Sequence, residues 1–178
     1  MRKQIIVASV VASVALHAAS FTPLSGALKQ VLPAGQKAFK TKFVMTEDQA
    51  KLLNGFGHGD FAEDDEVDVY YTKDAAGKVS GIAVAIEEYL VRWKSSHTWV
   101  VGLTPDGKLT GVAMVELTDK YAFPLAKPDF LKQFPGKDPN QMGLGKGMDG
   151  ISAASESCEL LSSSLKRVAW IATHAELK

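Results

Sequence analysis

Cysteine is almost absent from this chain. Cys158 is its single thiol, so no internal disulfide forms and the core must hold the fold unaided. With no Cys-x-x-Cys and no Cys-x-x-Cys-His, the pattern argues against thioredoxin-like chemistry and covalent haem. An excess of either charge is missing too. Twenty Lys and Arg balance twenty Asp and Glu, and no basic stripe is interleaved with aromatics, so nothing directs the chain to nucleic acid. No apolar run has the length of a membrane span. The twelve residues from Ile5 to Leu16 would extend roughly 18 Å as helix, against a hydrocarbon core of roughly 30 Å.

What is present fits one soluble domain behind a targeting segment. Apolar residues make up 46% and charged residues 22%, ordinary proportions for a packed globular chain. Met1 to Ser20 reads as a secretory signal: Arg2 and Lys3 at the start, the apolar run next, then Ala18-Ala19-Ser20 as a small-residue exit that fits cleavage after Ser20. No Cys follows that run, which argues against a lipid-anchored form.

Residues 21–66 read as a lead-in with a short helix. Thr46 with Gln49 three residues on makes a capping box, Met45 and Ala50 offer a hydrophobic staple, and Asn54-Gly55 stops the helix. The main domain, 67–178, starts with clear β pattern. Val67, Val69 and Tyr71 alternate with polar neighbours before the turn Asp74-Ala-Ala-Gly77, and a strand returns over 78–86. A second unit runs from Trp99 to Leu103, turns at Thr104-Pro-Asp-Gly107 and returns over 108–116. The return strands are near copies, Gly77-Lys-Val-Ser-Gly-Ile-Ala-Val and Gly107-Lys-Leu-Thr-Gly-Val-Ala-Met. The expected fold is α+β: a twisted antiparallel sheet of two consecutive hairpins flanked by helices, with a long C-terminal helix. The link between the hairpins, 87–98, reads as a loop or strand edge carrying Tyr89, Trp93 and His97. Tyr89 and His97 read as packing residues, whereas Trp93 and Trp99 are candidates to face a planar ring.

The C-terminal helix is marked by Cys158, Leu161, Leu165, Val168 and Ala172 at spacings of three and four. One step back along that row is Ser155, expected in the first turn on or beside the buried face. Unpaired N–H groups and the positive end of the helix dipole meet there, which suits a phosphate. Toward the other end, Lys166 and Arg167 are expected to complement the dipole. Gly143-Leu-Gly-Lys-Gly147 follows no strand of a βαβ unit and lacks Gly-Lys-Ser/Thr, so it is neither a P-loop nor a dinucleotide fingerprint. No Gly-x-Ser-x-Gly elbow is present, which disfavours a serine hydrolase.

The nine residues Asp149-Gly-Ile-Ser-Ala-Ala-Ser-Glu-Ser157 resemble the flavinylation motif of the FMN-binding domain family, Asp-Gly-x-Ser/Thr-Gly-Ala-Thr/Ser-x-Ser/Thr. The resemblance extends over roughly 79–172: the second hairpin, an acidic residue at Asp119, and Phe130-Leu-Lys-Gln-Phe-Pro-Gly-Lys137 follow in the family's order. Ala153 stands where Gly is usual, Ser155 where Thr is commoner, Asp119 for Glu and Ala122 for Gly. The family includes flavin-carrying subunits of sodium-pumping quinone reductases and ferredoxin:NAD oxidoreductases. The resemblance implies FMN joined through a phosphoester to Ser155, attached by a flavin transferase. Asp149, Gly150, Ser152, Ala153, Ala154 and Ser157 would surround the bond, Ser152 and Ser157 as hydrogen-bond donors to the phosphate. Lys137 is a further candidate to meet it. The implied role is an exported, periplasmic electron carrier between membrane or periplasmic redox proteins, anchored at the inner membrane if the signal is retained. The reading from a different class is a non-catalytic ligand-binding or interaction module without flavin.

Overall fold

The structure is a computed structural model that describes residues 19–177. Residues 1–18, which carry most of the expected signal, lie outside it. Its centre is a six-stranded antiparallel sheet in the order β1-β6-β5-β4-β3-β2: β1 (Ala19–Ser20), β2 (Ala38–Val44), β3 (Glu66–Lys73), β4 (Val79–Leu90), β5 (Ser95–Leu103) and β6 (Leu109–Leu117). The two hairpins expected from sequence are β3–β4 and β5–β6. In the first turn, Asp74 Oδ1 accepts from the N–H groups of Ala76 and Lys78, both at 2.9 Å. Gly77 closes it at φ +80°, a left-handed conformation that Gly adopts without steric cost.

The sheet is wider than the alternation foretold. The lead-in supplies β2, which pairs along its length with β3 from Ala38↔Thr72 to Val44↔Glu66. Ala19 and Ser20, the last two residues of the expected signal, pair with Leu117 and Glu116. The 87–98 link is no loop. β4 continues to Leu90 and pairs without a break to Ser95, so only a 3-10 turn (Val91–Trp93) and Lys94, left-handed at φ 48°, separate β4 from β5. Pairing in register overrides the polar composition of this link, because a strand inside a sheet satisfies every backbone group that a loop would leave to water.

Both faces of the sheet are covered. One carries the main core, where Val67, Val69, Val84, Ile86, Trp99, Val101 and Met114 pack beneath α4 (Ser155–His174) with Leu161, Leu165 and Val168. α2 (Glu47–Asn54) joins this layer. Its capping box is formed by Thr46 and Gln49, and Met45 and Ala50 are buried in the core. On the opposite face, α1 (Leu24–Val31) buries Ala27 and Val31 against Ala83, Val100 and Ala113. Its close approach depends on Gly102. A Cβ there would stand 2.5 Å from Val31 Cβ, whereas at Gly111, its cross-strand partner, the nearest atom is Val31 Cγ1 at 3.6 Å.

The main core also contains a buried ion pair. Arg167, expected from its position to complement the helix dipole, is fully buried. Its Nε and Nη2 donate to Glu88 Oε1 at 2.9 and 2.7 Å, and Nη1 donates to the Gly57 carbonyl. Ser164 Oγ adds a donor to the same Oε1 at 2.8 Å. Burial pushes the Glu88 carboxyl up from its ordinary range while Arg167 and Ser164 pull it down.

The glycines give a test of the packing. Gly102→Ala should destabilise the fold by about 1–3 kcal/mol through overpacking, while Gly111→Ala should stay within about 0.5 kcal/mol. Urea denaturation of the two variants measures the contrast; equal midpoints would contradict the α1 contact.

Candidate functional site

A short helix and a glycine-rich loop deliver residues 149–157 to the start of α4. α3 (Pro128–Leu131) begins with Pro at its first turn, and Phe130 and Phe134 are buried with their rings edge-to-face, centroids 5.5 Å apart. That packing fixes Gln133, whose Oε1 accepts the Asp149 N–H at 2.7 Å. Lys137 Nζ donates to the Gly147 carbonyl at 2.6 Å, so its ammonium serves the loop. Gly150 packs against Leu144, and a Cβ there would stand 2.6 Å from Leu144 Cδ1, so that side chain would have to shift. The Phe-Leu-x-Gln-Phe-x-Gly-Lys run and the hydroxyl-rich run are thus two halves of one support.

Between Gly150 and α4 the chain turns through Ala153, left-handed at φ 66°. A Cβ in that region costs about 1 kcal/mol or more, a strain that Gly would avoid. Ala154 is the N-cap residue and has no side-chain capping bond; the first helical bond runs from Cys158 N to the Ala154 carbonyl at 3.0 Å. The N–H groups of Ser155, Glu156 and Ser157 therefore have no acceptor within the helix. Ser155 is exposed, so of the two positions expected it lies beside the buried face and not on it. At 100° per residue, four residues back from Cys158 falls closer to the row than three, and Ala154 is the buried residue.

A cleft of about 320 Å³ opens over this turn, lined by Trp93, Asp119, Tyr121, Ala153, Ala154, Ser155, Glu156 and Ser157. That volume is at the small end of the range for ligand sites. Trp93 and Tyr121 are both more than half exposed and supply aromatic walls. Trp93 is fastened across the cleft: its indole Nε1 donates to Glu156, whose other oxygen accepts from Arg92 Nη1 at 2.8 Å, with the guanidinium 5.1 Å above the indole ring. Asp119 caps the 3-10 segment Lys120–Ala126, Oδ1 accepting from Tyr121 N at 2.9 Å. Glu156 is thus engaged at both oxygens and Asp119 at Oδ1.

Ser157 is buried at the edge of the cleft. Its Oγ lies 3.1 Å from His97 Nε2 and donates to Asp119 Oδ2 at 3.3 Å. This is not a nucleophile–base–acid triad. Asp119 contacts the serine where a triad acid would contact the histidine, and the hydroxyl is sealed from solvent.

Of the residues singled out from sequence, Trp93, Asp119, Ala153, Ala154, Ser155 and Ser157 converge on the cleft. Asp149, Gly150 and Ser152 precede it in the supporting loop and do not line it. Trp99 is fully buried in the core beside His97, ring centroids 5.5 Å apart, and reaches no cleft. Glu156 and Tyr121 were missed. Neither stands in a pattern; the folded hairpin tip brings Arg92 and Trp93 to Glu156, and Tyr121 reaches the cleft from the 3-10 segment after Asp119. Cys158 is buried, and burial raises its thiol pKa, so it is a packing residue. Among the described residues no group of three or more His, Cys, Asp or Glu is arranged to hold a metal. A larger cavity, about 770 Å³, lies elsewhere, between α1 and the start of β2, lined mainly by apolar atoms.

No family model matches the chain, and no curated protein matches it. The crystal structure of Shewanella oneidensis NqrC is similar to this chain with 16% sequence identity and a TM-score of 0.46, over 82% of this chain and 67% of that one.

His97 and Ala153 each carry a measurable consequence. Burial lowers the His97 pKa to about 4, against an attraction from Asp119 that opposes it. The unfolded ring titrates near 6.5, so the stabilisation is complete above about pH 6.5 and is lost as pH falls through about 4. The span corresponds to about 3 kcal/mol. Unfolding free energy measured between pH 7 and 4 should show this slope, and His97→Gln should flatten it. Ala153→Gly should stabilise the fold by about 0.5–1 kcal/mol, relief of strain exceeding the added chain entropy. A thermal melt that falls on this substitution would show the turn to be unstrained.

Proposed function

We propose that this chain is an exported FMN-binding electron carrier, with the flavin held through a phosphoester to Ser155. One observation carries the reading: the exposed Ser155 hydroxyl stands at the uncapped start of a twenty-residue helix, inside a cleft with two aromatic walls. The group fits the residues present. A phosphate on Ser155 Oγ would meet the unpaired N–H groups of the first turn and the positive end of the dipole. Trp93 and Tyr121 offer flat apolar surface of the kind a fused heterocycle stacks on. The motif at 149–157 supports the same reading by its resemblance to a flavinylation sequence.

When bound, FMN supplies the redox chemistry, taking up two electrons and releasing them singly. The protein's part is to orient it and exclude competing contacts. Arg92 and Glu156 hold Trp93 at the cleft, Asp119 presents an acceptor on its wall, and the exposed rim leaves room for redox proteins to approach. Outside the cytoplasm a dissociating cofactor is lost to dilution, and a covalent tether keeps its local concentration at about millimolar or above. A flavin transferase would make the bond, and the apolar run at Ile5 to Leu16 is the proposed export signal.

Co-expression with a flavin transferase tests the proposal. The purified protein should be yellow, the colour should survive denaturation, and the intact mass should rise by one FMN less one water. Ser155→Ala should abolish the adduct while leaving the fold unchanged. An undiminished adduct in that variant would move the attachment elsewhere, and a colourless wild-type product would favour a ligand-binding module without flavin.

A further inference from the structure

His97 is buried at the inner end of a hydrogen-bond chain that reaches the cleft, and no role described so far uses it. The direction of that chain follows from the donors available. The Asp119 carboxylate can only accept, and the Ser157 hydroxyl has one proton, directed to Asp119 Oδ2. With that proton on Asp119, His97 Nε2 is the donor to Ser157 Oγ. The other tautomer would set two acceptors, Nε2 and the half-buried Asp119 Oδ2, against one hydroxyl proton. His97 Nδ1 is buried without a partner, and so are Ser95 Oγ and Trp99 Nε1, which flank it at alternate positions on the same face of β5. Indole N–H only donates and the hydroxyl donates readily, whereas the Ser95 carbonyl, which also acts on the ring, accepts, so the tautomer is set from the Ser157 side. Across the strand pair Glu88 stands opposite His97, with its carboxylate engaged by Arg167 and Ser164. Apart from Asp119 and this ion pair, no charged group faces the ring from the packed elements described above.

We propose that His97 is a positioning residue of the cleft: a neutral ring protonated at Nε2 that commits the Ser157 proton to Asp119, so that the carboxylate is held on the cleft wall as an acceptor for an N–H or O–H group of the ligand. Ser157 accordingly transmits orientation and is spent as a donor; it is not a phosphate ligand. The identity of the ligand as FMN rests on the reading above, whereas the tautomer and the chain do not.

Two measurements separate these claims. In flavin-free protein, long-range ¹⁵N–¹H correlation of the His97 ring should give the pattern of an Nε2–H tautomer, unchanged from pH 8 to 5. An Nδ1–H or averaged pattern overturns the proposal whatever the ligand. FMN affinity is then titrated in a Ser155→Ala background, where no ester forms. His97→Leu should weaken binding at least tenfold, His97→Gln, whose amide N–H can replace the donor, should bind within threefold of the parent, and adding Asp119→Asn to His97→Leu should cost little more. Parent-like affinity in a folded His97→Leu chain, or failure of Gln to rescue, overturns the proposal. Should the Leu variant not fold, the Gln variant and the tautomer decide. If the Ser155→Ala parent binds no FMN, the flavin reading fails and the tautomer alone decides the chain.

Discussion

The fold depends on one buried ion pair. Arg167 and Glu88 place a cation and an anion in the apolar layer between α4 and the sheet, where an unpaired charge would cost several kcal/mol. Three donors converge on one carboxylate oxygen, and the remaining guanidinium nitrogen reaches the backbone of the 55–65 loop at Gly57. Directional bonds of this kind fix axial position and rotation, which a smooth contact of leucines against valines leaves loosely determined. Pinned near its middle to β4, α4 has one place to start, and that place is the cleft.

The same stripe of α4 repeats the device at its first turn. Ser164 joins the ion pair, and Ser157, two turns earlier, joins His97 on β5, the cross-strand neighbour of Glu88. Polar side chains therefore stitch the helix to two adjacent strands through an otherwise apolar interface. Burial makes these bonds strong and makes any unpaired member costly. At the surface the stitching continues through Glu156 to Arg92 and Trp93. The tip of the β4–β5 hairpin, the first turn of α4 and the Asp119 segment thus hold one another, and the cleft is the space left between them.

Strain and exposure sit at the same point. Ala153 turns left-handed immediately before the helix, Ala154 provides no cap, and Ser155 faces outward with free N–H groups beside it. A fold optimised for stability alone would place Gly at the first position and Ser, Thr, Asp or Asn at the cap. The departure leaves donors exposed where an anionic group can be accepted, which is the physical content of the proposed function.

Much of the architecture was written in local pattern. Alternation and turn residues marked the β3–β4 and β5–β6 hairpins, three-and-four spacing marked α4, and Thr46 with Gln49 marked the start of α2, because each of these rests on interactions between residues close in the chain. The motif at 149–157 was legible as a string. Which of its hydroxyls would be open was not: Ser155 and Ser157 are chemically alike, and only the position of the sheet beneath the first turn made one exposed and the other buried. Likewise Arg167 read as a cation complementing the helix dipole, the 87–98 link as a loop or strand edge, and residues 38–44 as lead-in. Their environments are set by Glu88, by strand pairing to β5 and by strand pairing to β3. Those partners are distant in sequence, and no periodicity encodes a contact whose two halves meet only after the chain has folded back on itself.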